Sequence, residues 1–210
     1  MSCPICQKRK AKRFCPAKGE NICSICCGTE REVTIDCPSD CTYLIAGRQH
    51  EHREVDWSKI PFAEVKIPAS FARTHGGLLN LLSFAVSKYA VANRLLVDSD
   101  AQESLRTLAE TYRTLATGIV FERAPDYAVQ RELYEALKSA IEDFKKAETE
   151  KLGMSSTRES DIRDALIFFT QLAAMRSNGR PKGRAFLDLL RSQFKPEELG
   201  KPVSNLLVLP

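Results

Sequence analysis

The sequence has no cysteine after Cys41, and that absence divides it in two. It has no run of the roughly 18–20 apolar residues that a membrane span requires. The start, Met1-Ser2-Cys3-Pro4, lacks the charged and apolar segments of an export signal, so a cytoplasmic location is expected. Histidine is scarce, with 3 in 210 residues, and only His75 lies beyond the first 52 positions. There is no phosphate-binding loop, no dinucleotide-binding Gly-rich turn and no His-Glu-x-x-His. There is also no Glu-x-x-His pair of the kind that builds a di-iron centre inside a helical bundle. Beyond His75, the long C-terminal part has no residue suited to general-base work near neutral pH. The chain is therefore expected not to be an enzyme. A net charge of +4 is too mild to announce a nucleic-acid binder by itself.

What is abundant is cysteine, and all 8 lie between Cys3 and Cys41. In a small secreted domain such density signals disulfides. Here the cysteines fall in close pairs and no export signal precedes them, which favours a metal. Two thiolates a short turn apart are how structural zinc sites are built. Cys3-x2-Cys6 and Cys23-x2-Cys26 have the spacing of a four-cysteine site. Cys15, Cys27, Cys37 and Cys41 remain, again the number a closed site requires. Two structural zinc ions are expected, with interleaved ligands because Cys15 lies between the halves of the first set. An alternative leaves Cys27 as a buried thiol and completes the second site with His50 or His52.

The stretches Cys3-Pro-Ile-Cys6, Arg13-Phe14-Cys15 and Glu20-Asn-Ile-Cys23-Ser-Ile-Cys26 resemble a B-box-type zinc finger, a relative of the RING cross-brace. Lys18 stands where that family usually has an Asp or Cys ligand, and Cys37-x3-Cys41 replaces its closing histidine pair. The resemblance implies a cross-braced two-zinc module and a role in protein–protein interaction.

The rest of the chain has helical periodicity. Residues 1–56 form the cysteine-rich module, 57–68 a linker that packs in part, 69–195 a helical body and 196–210 a tail that packs back. A first helix is expected over 69–97, with a break or kink at Gly76-Gly77. A second spans 100–121, with Leu105, Leu108, Ala109, Tyr112, Leu115, Ala116 and Ile119 on one face. A third begins near Pro125 and ends at Gly153, with the stripe Leu133, Leu137, Ala140, Ile141 and Phe144. Ser156 and Glu159 have capping-box spacing ahead of a fourth stripe, Ile162, Leu166, Phe169 and Ala173. A short fifth covers 183–194. The expected fold is mostly α: the small module, then an antiparallel bundle of four long helices plus a short fifth.

Two basic stretches remain. Lys8, Arg9, Lys10, Lys12 and Arg13 lie between Cys6 and Cys15, and Phe14 follows as an aromatic for base stacking. Gly179-Arg-Pro-Lys-Gly-Arg184 sits between two helices and is expected to be a charged connection, the alternative being that it holds an anion near the next helix N-terminus. The leading functional expectation is a non-catalytic zinc protein acting as a protein–protein interaction or adaptor module. The second is an RNA- or DNA-binding zinc protein using Lys8–Arg13. The third is an enzyme with a zinc-stabilised accessory module. No membrane partner is expected.

Overall fold

Apolar residues three and four apart become helices throughout the second part of the chain, and the protein is mostly helical with little sheet. The computed structural model describes residues 1–51, 55–118 and 121–200. Its contacts separate two compact units. One is Met1–Val55 together with Ser177–Arg184; the other is Asp56–Arg176 with the chain from Ala185 onward.

The first unit is built from short pieces. Strands β1 (Arg13–Cys15) and β2 (Glu20–Ile22) pair antiparallel, with Arg13 opposite Ile22 and Cys15 opposite Glu20. Gly19, at φ +68°, supplies the left-handed turn residue, and its N–H donates back to the Cys15 carbonyl at 2.9 Å. Helix α1 (Ser24–Glu30) starts directly after the hairpin, and α2 (Thr42–His50) starts after Cys41. The buried interior is Cys3, Cys15, Ile22, Cys23, Cys26 and Ile35. An interior this small and this rich in sulfur holds too little apolar surface to stand alone.

The second unit contains α3 (Phe71–Thr74), α4 (Gly76–Ala92), α5 (Asp98–Leu115), α6 (Ala128–Leu152), α7 (Glu159–Arg176), α8 (Ala185–Arg191) and α9 (Pro196–Leu199). Helix α5 packs on α6 and α7, while α4 packs on α6 and α8. Leu82, Leu105, Leu108, Leu133, Leu137, Ile141, Leu166 and Phe186 are fully buried in one continuous core. Residues 57–68 join it: Phe62, Val65 and Ile67 pack against this core, and Gln171 Nε2 donates to the carbonyls of Phe62 (2.9 Å) and Val65 (3.2 Å).

Several boundaries differ from the sequence expectation for local reasons. The helix expected over 69–97 is interrupted at His75 and ends at Ala92. There Asn93 Oδ1 takes the N–H of Leu95 at 3.0 Å, an alternative to the next helical bond. Helix α5 stops at Leu115, which leaves Ala116 exposed; Ile119 is outside the described residues. Helix α6 begins three residues after Pro125, because the Arg131 guanidinium holds the carbonyls of Pro125 and Asp126 in a loop. The Ser156–Glu159 capping box does not form. Ser156 Oγ instead donates to Glu148 (3.0 Å), and Glu159 pairs with Lys145 (2.5 Å). The helix expected over 183–194 is shorter, Ala185–Arg191. The tail from 201 on is outside the described residues.

The start of α8 depends on a residue far away in sequence. Asp98, 1% exposed, accepts the backbone N–H groups of Phe186 and Leu187 at 3.1 Å each, one on each carboxylate oxygen. A carboxylate there satisfies the free N–H groups of the helix start and meets its positive dipole end. Asp98→Ala should strand both donors and lower the stability of the helical unit by about 3 kcal/mol, read by urea denaturation followed at 222 nm.

Candidate metal centre

The four sulfurs of Cys3, Cys6, Cys23 and Cys26 lie within 4.8 Å of one another. Three local structures bring them together. The first is the tight turn after Cys3. Gln7 there takes a left-handed φ of +55° and returns its N–H to the Cys3 carbonyl at 2.7 Å, while Cys3 N–H bonds to the Arg9 carbonyl at 2.7 Å. The second is the β1–β2 hairpin, which ends one residue before Cys23. The third is the first turn of α1, where Cys23 is the N-cap and its sulfur accepts the Cys26 N–H at 3.4 Å. Cys3, Cys23 and Cys26 are buried, and Cys6 is partly so.

This geometry fits a tetrahedral ion. Bonds of about 2.3 Å to zinc place sulfurs about 3.8 Å apart along a tetrahedron edge. Cys6 and Cys23 sulfurs stand 3.9 Å apart, and all eight cysteines are free thiols. The protonation pattern fits as well. The N–H groups of Lys8 and then Arg9 hold the Cys6 thiol down to about 6. Burial raises Cys3, but the N–H groups of Cys6, Cys23 and Ile5 outweigh it and leave its pKa lowered. Burial, and then the sulfurs of Cys23, Cys6 and Cys3, push Cys26 up to about 12. The pocket thus favours thiolates at Cys3 and Cys6 but resists another at Cys26. A dication at the centre removes that resistance, because the coordinated thiols lose their protons to it. Four protein donors fill a tetrahedral shell and leave no position for a substrate, which is the arrangement of a structural site.

The other four cysteines are not gathered to the same degree. Among the described residues, the first group is the one whose donor atoms lie this close together. Cys15 ends β1 and is buried; Cys41 is the N-cap of α2. Burial raises the Cys37 thiol, and negative charge on Cys41 and Cys15 raises it further, so these three are within electrostatic reach. Cys27 and Cys37 both pack against the sulfur-rich interior. His50 is exposed in the last turn of α2, and His52 lies outside the described residues.

Residues the sequence did not single out hold this unit together. Glu32 is 1% exposed and takes a positive φ of +53°. Its carboxylate accepts from Arg48 Nη2 (2.5 Å), from Asn178 Nδ2 (2.7 Å) and from the Arg184 N–H (3.4 Å), while its carbonyl accepts the Lys182 N–H (2.8 Å). The loop 177–184 is fastened around this residue. Arg180 donates to the carbonyls of Gly28 and Arg31 and pairs with Glu51, Lys182 reaches the Thr34 carbonyl, and Arg184 pairs with Asp36. The cations of this loop are therefore spent inside the unit, and Asp98 already occupies the N-terminus of the following helix. The loop 179–184 is thus a charged connection rather than an anion holder. The Arg31 guanidinium lies over Gly47, where a Cβ would displace it.

No family model, no curated protein and no solved structure matches the chain.

Two outcomes are expected. A strong chelator should abolish the tertiary signals of residues 1–55, read by amide exchange, while leaving most of the 222 nm helical signal; parallel loss of both would contradict independent stability of the helical unit. Glu32→Ala should cost the first unit about 3 kcal/mol, because it leaves buried donors and a cation without their acceptor. Trypsin should then cut after Lys182 and Arg184 faster than in the wild type.

Proposed function

We propose that the chain is a non-catalytic, zinc-stabilised binding protein in which the cysteine module is the contact surface and the helical unit is its scaffold. The observation that carries this is the closed sulfur cluster of Cys3, Cys6, Cys23 and Cys26: four protein donors around one point hold a metal but offer it no substrate position. We take the metal to be zinc, because thiolates select soft ions and zinc brings no redox chemistry to a buried site. We assign a second zinc to Cys15, Cys37 and Cys41, with Cys27 as the fourth ligand. Its support is the mutual electrostatic reach of Cys15, Cys37 and Cys41, together with the packing of Cys27 on the same interior. Interleaved in this way, the ligands follow the cross-brace that the B-box resemblance implies.

Helices α4 to α7 serve in this reading as an antiparallel bundle of four long helices, with α8 as the short fifth. Their role is adaptor-like, in the cytoplasm. Of two grooves on this unit, the more polar is lined by the Arg106–Glu103 and Arg113–Glu110 ion pairs, which cancel each other's charge.

Metal analysis tests both sites separately. The wild type should purify with two zinc ions per chain, Cys6→Ser and Cys37→Ser with one each, and the double variant with none. A single zinc in the wild type, unchanged by Cys37→Ser, would remove the second site. A wild type without zinc would overturn the whole proposal.

A further inference from the structure

We infer that the solvent face of the metal knuckle and hairpin, residues 8–14 with Asn21, binds single-stranded nucleic acid. This rests on the reading of residues 1–55 as a metal-held binding platform and names the platform's partner.

The first observation is how charge is distributed in the unit. Three of its acidic groups are paired with cations outside the knuckle, and among the described residues Glu20 and Asp40 form no ion pair. Glu32 pairs with Arg48, Asp36 with Arg184 and Glu51 with Arg180, and Glu30 accepts from the Thr34 hydroxyl at 2.6 Å. Lys8, Arg9, Lys10 and Lys12 are all exposed, and among the described residues none of them forms an ion pair. The unit is net positive, with 12 Lys and Arg against 7 Asp and Glu, and the cations of 177–184 are committed within it, so the cations without an ion pair are concentrated on the knuckle. Such a concentration of lysine and arginine is the footprint of a polyphosphate partner, which gains affinity by releasing counterions.

The second observation concerns the hairpin. Strand side chains alternate between faces. Cys15 and Ile22 point inward and are buried, so Phe14 and its partner Asn21 point out, and both are exposed. Phe14 is 56% exposed, directly after the cationic run. Arg13, one position earlier on the other face, is held with its guanidinium 4.8 Å over the Tyr43 ring. An exposed aromatic beside a row of cations is a stacking platform for an unpaired base whose backbone follows the lysines. A duplex keeps its bases stacked inside and would use the cations but not Phe14, so the aromatic favours a single strand. The backbone of the knuckle is anchored by the Cys3 N–H bond to the Arg9 carbonyl and the Ala11 N–H bond to the Met1 carbonyl, so the chain that carries the cations needs no reordering on contact.

The test uses the full zinc-loaded chain and fluorescent oligouridylate and oligothymidylate, with a duplex as competitor. Binding to either single strand should weaken steeply with salt. The combined variant Lys8→Gln/Arg9→Gln/Lys10→Gln/Lys12→Gln should make the log K against log salt slope shallower by about 3, at about 0.7 per lost phosphate contact. Phe14→Ala should weaken binding about 5- to 100-fold with the slope unchanged, a combination that a purely electrostatic contact would not produce. Lys146→Gln, on the exposed side of α6, should change neither. Zinc content of each variant shows whether the module is still assembled. A zinc-replete wild type with no retention on either strand at low salt overturns the inference and leaves the face to a protein partner, with the platform reading intact. Duplex binding as tight as single-strand binding, untouched by Phe14→Ala, also overturns it.

Discussion

Four sulfur atoms within 4.8 Å of one another are a concentration of incipient negative charge, and the first unit is organised around accommodating it. A left-handed residue after Cys6 turns backbone N–H groups onto one sulfur. The hairpin delivers the chain to a second pair, and the start of α1 points another N–H at Cys23. None of these devices removes the conflict at Cys26, where burial and neighbouring sulfurs oppose ionisation. Only a central cation does. The rest of that unit's interior offers little to replace it, since beside four buried cysteines its buried hydrocarbon side chains are Ile22, Ile35 and Leu44. A metal held by the four cysteines would take there the place that leucines and phenylalanines take in the helical unit.

Around the sulfur cluster lies a second constraint of the opposite kind, a buried carboxylate. Glu32 gathers donors from α2 and from a loop nearly 150 positions later, and a non-glycine residue with positive φ is tolerated there because its surroundings over-determine it. The same bonds account for what the loop 177–184 does. Its arginines and lysine look like an anion-binding patch in sequence, but carbonyls and carboxylates of the first unit consume them. Their neutralisation of Asp36 and Glu51 leaves the knuckle cations unopposed on the other side of the charge ledger.

The helical character of the chain was readable because burial follows period: Leu105, Leu108 and Tyr112, Leu133, Leu137 and Ile141, and Ile162, Leu166 and Phe169 all face the core as the stripes require. The first metal site was readable for a similar reason, since two cysteines three apart impose a turn whatever lies between them. What escaped was contact across long sequence distances. Asp98 reads as an ordinary helix-start acid until its carboxylate is seen at the start of α8, and Glu148 reads as a surface residue until Ser155, Ser156 and Thr157 converge on it. Side chains that satisfy backbone groups elsewhere carry no periodic signal. Helix ends escaped for the same reason, because Asn93 and Arg131 set them through individual hydrogen bonds.

The placement of 177–184 within the first unit also fixes an order of events during synthesis. The cysteines are complete once Cys41 has been made, so metal can be captured early. Glu32 then has Arg48 but lacks Asn178, Lys182 and Arg184 until all of α3 to α7 has been translated. At elongation speeds of about 5–20 residues per second, that interval is on the order of ten seconds. The module is thus not an autonomous N-terminal bead that finishes folding as it emerges. Its last structural bonds are made by a segment that the ribosome delivers near the end, and a fragment cut at residue 55 would carry the metal ligands without the clasp that encloses them.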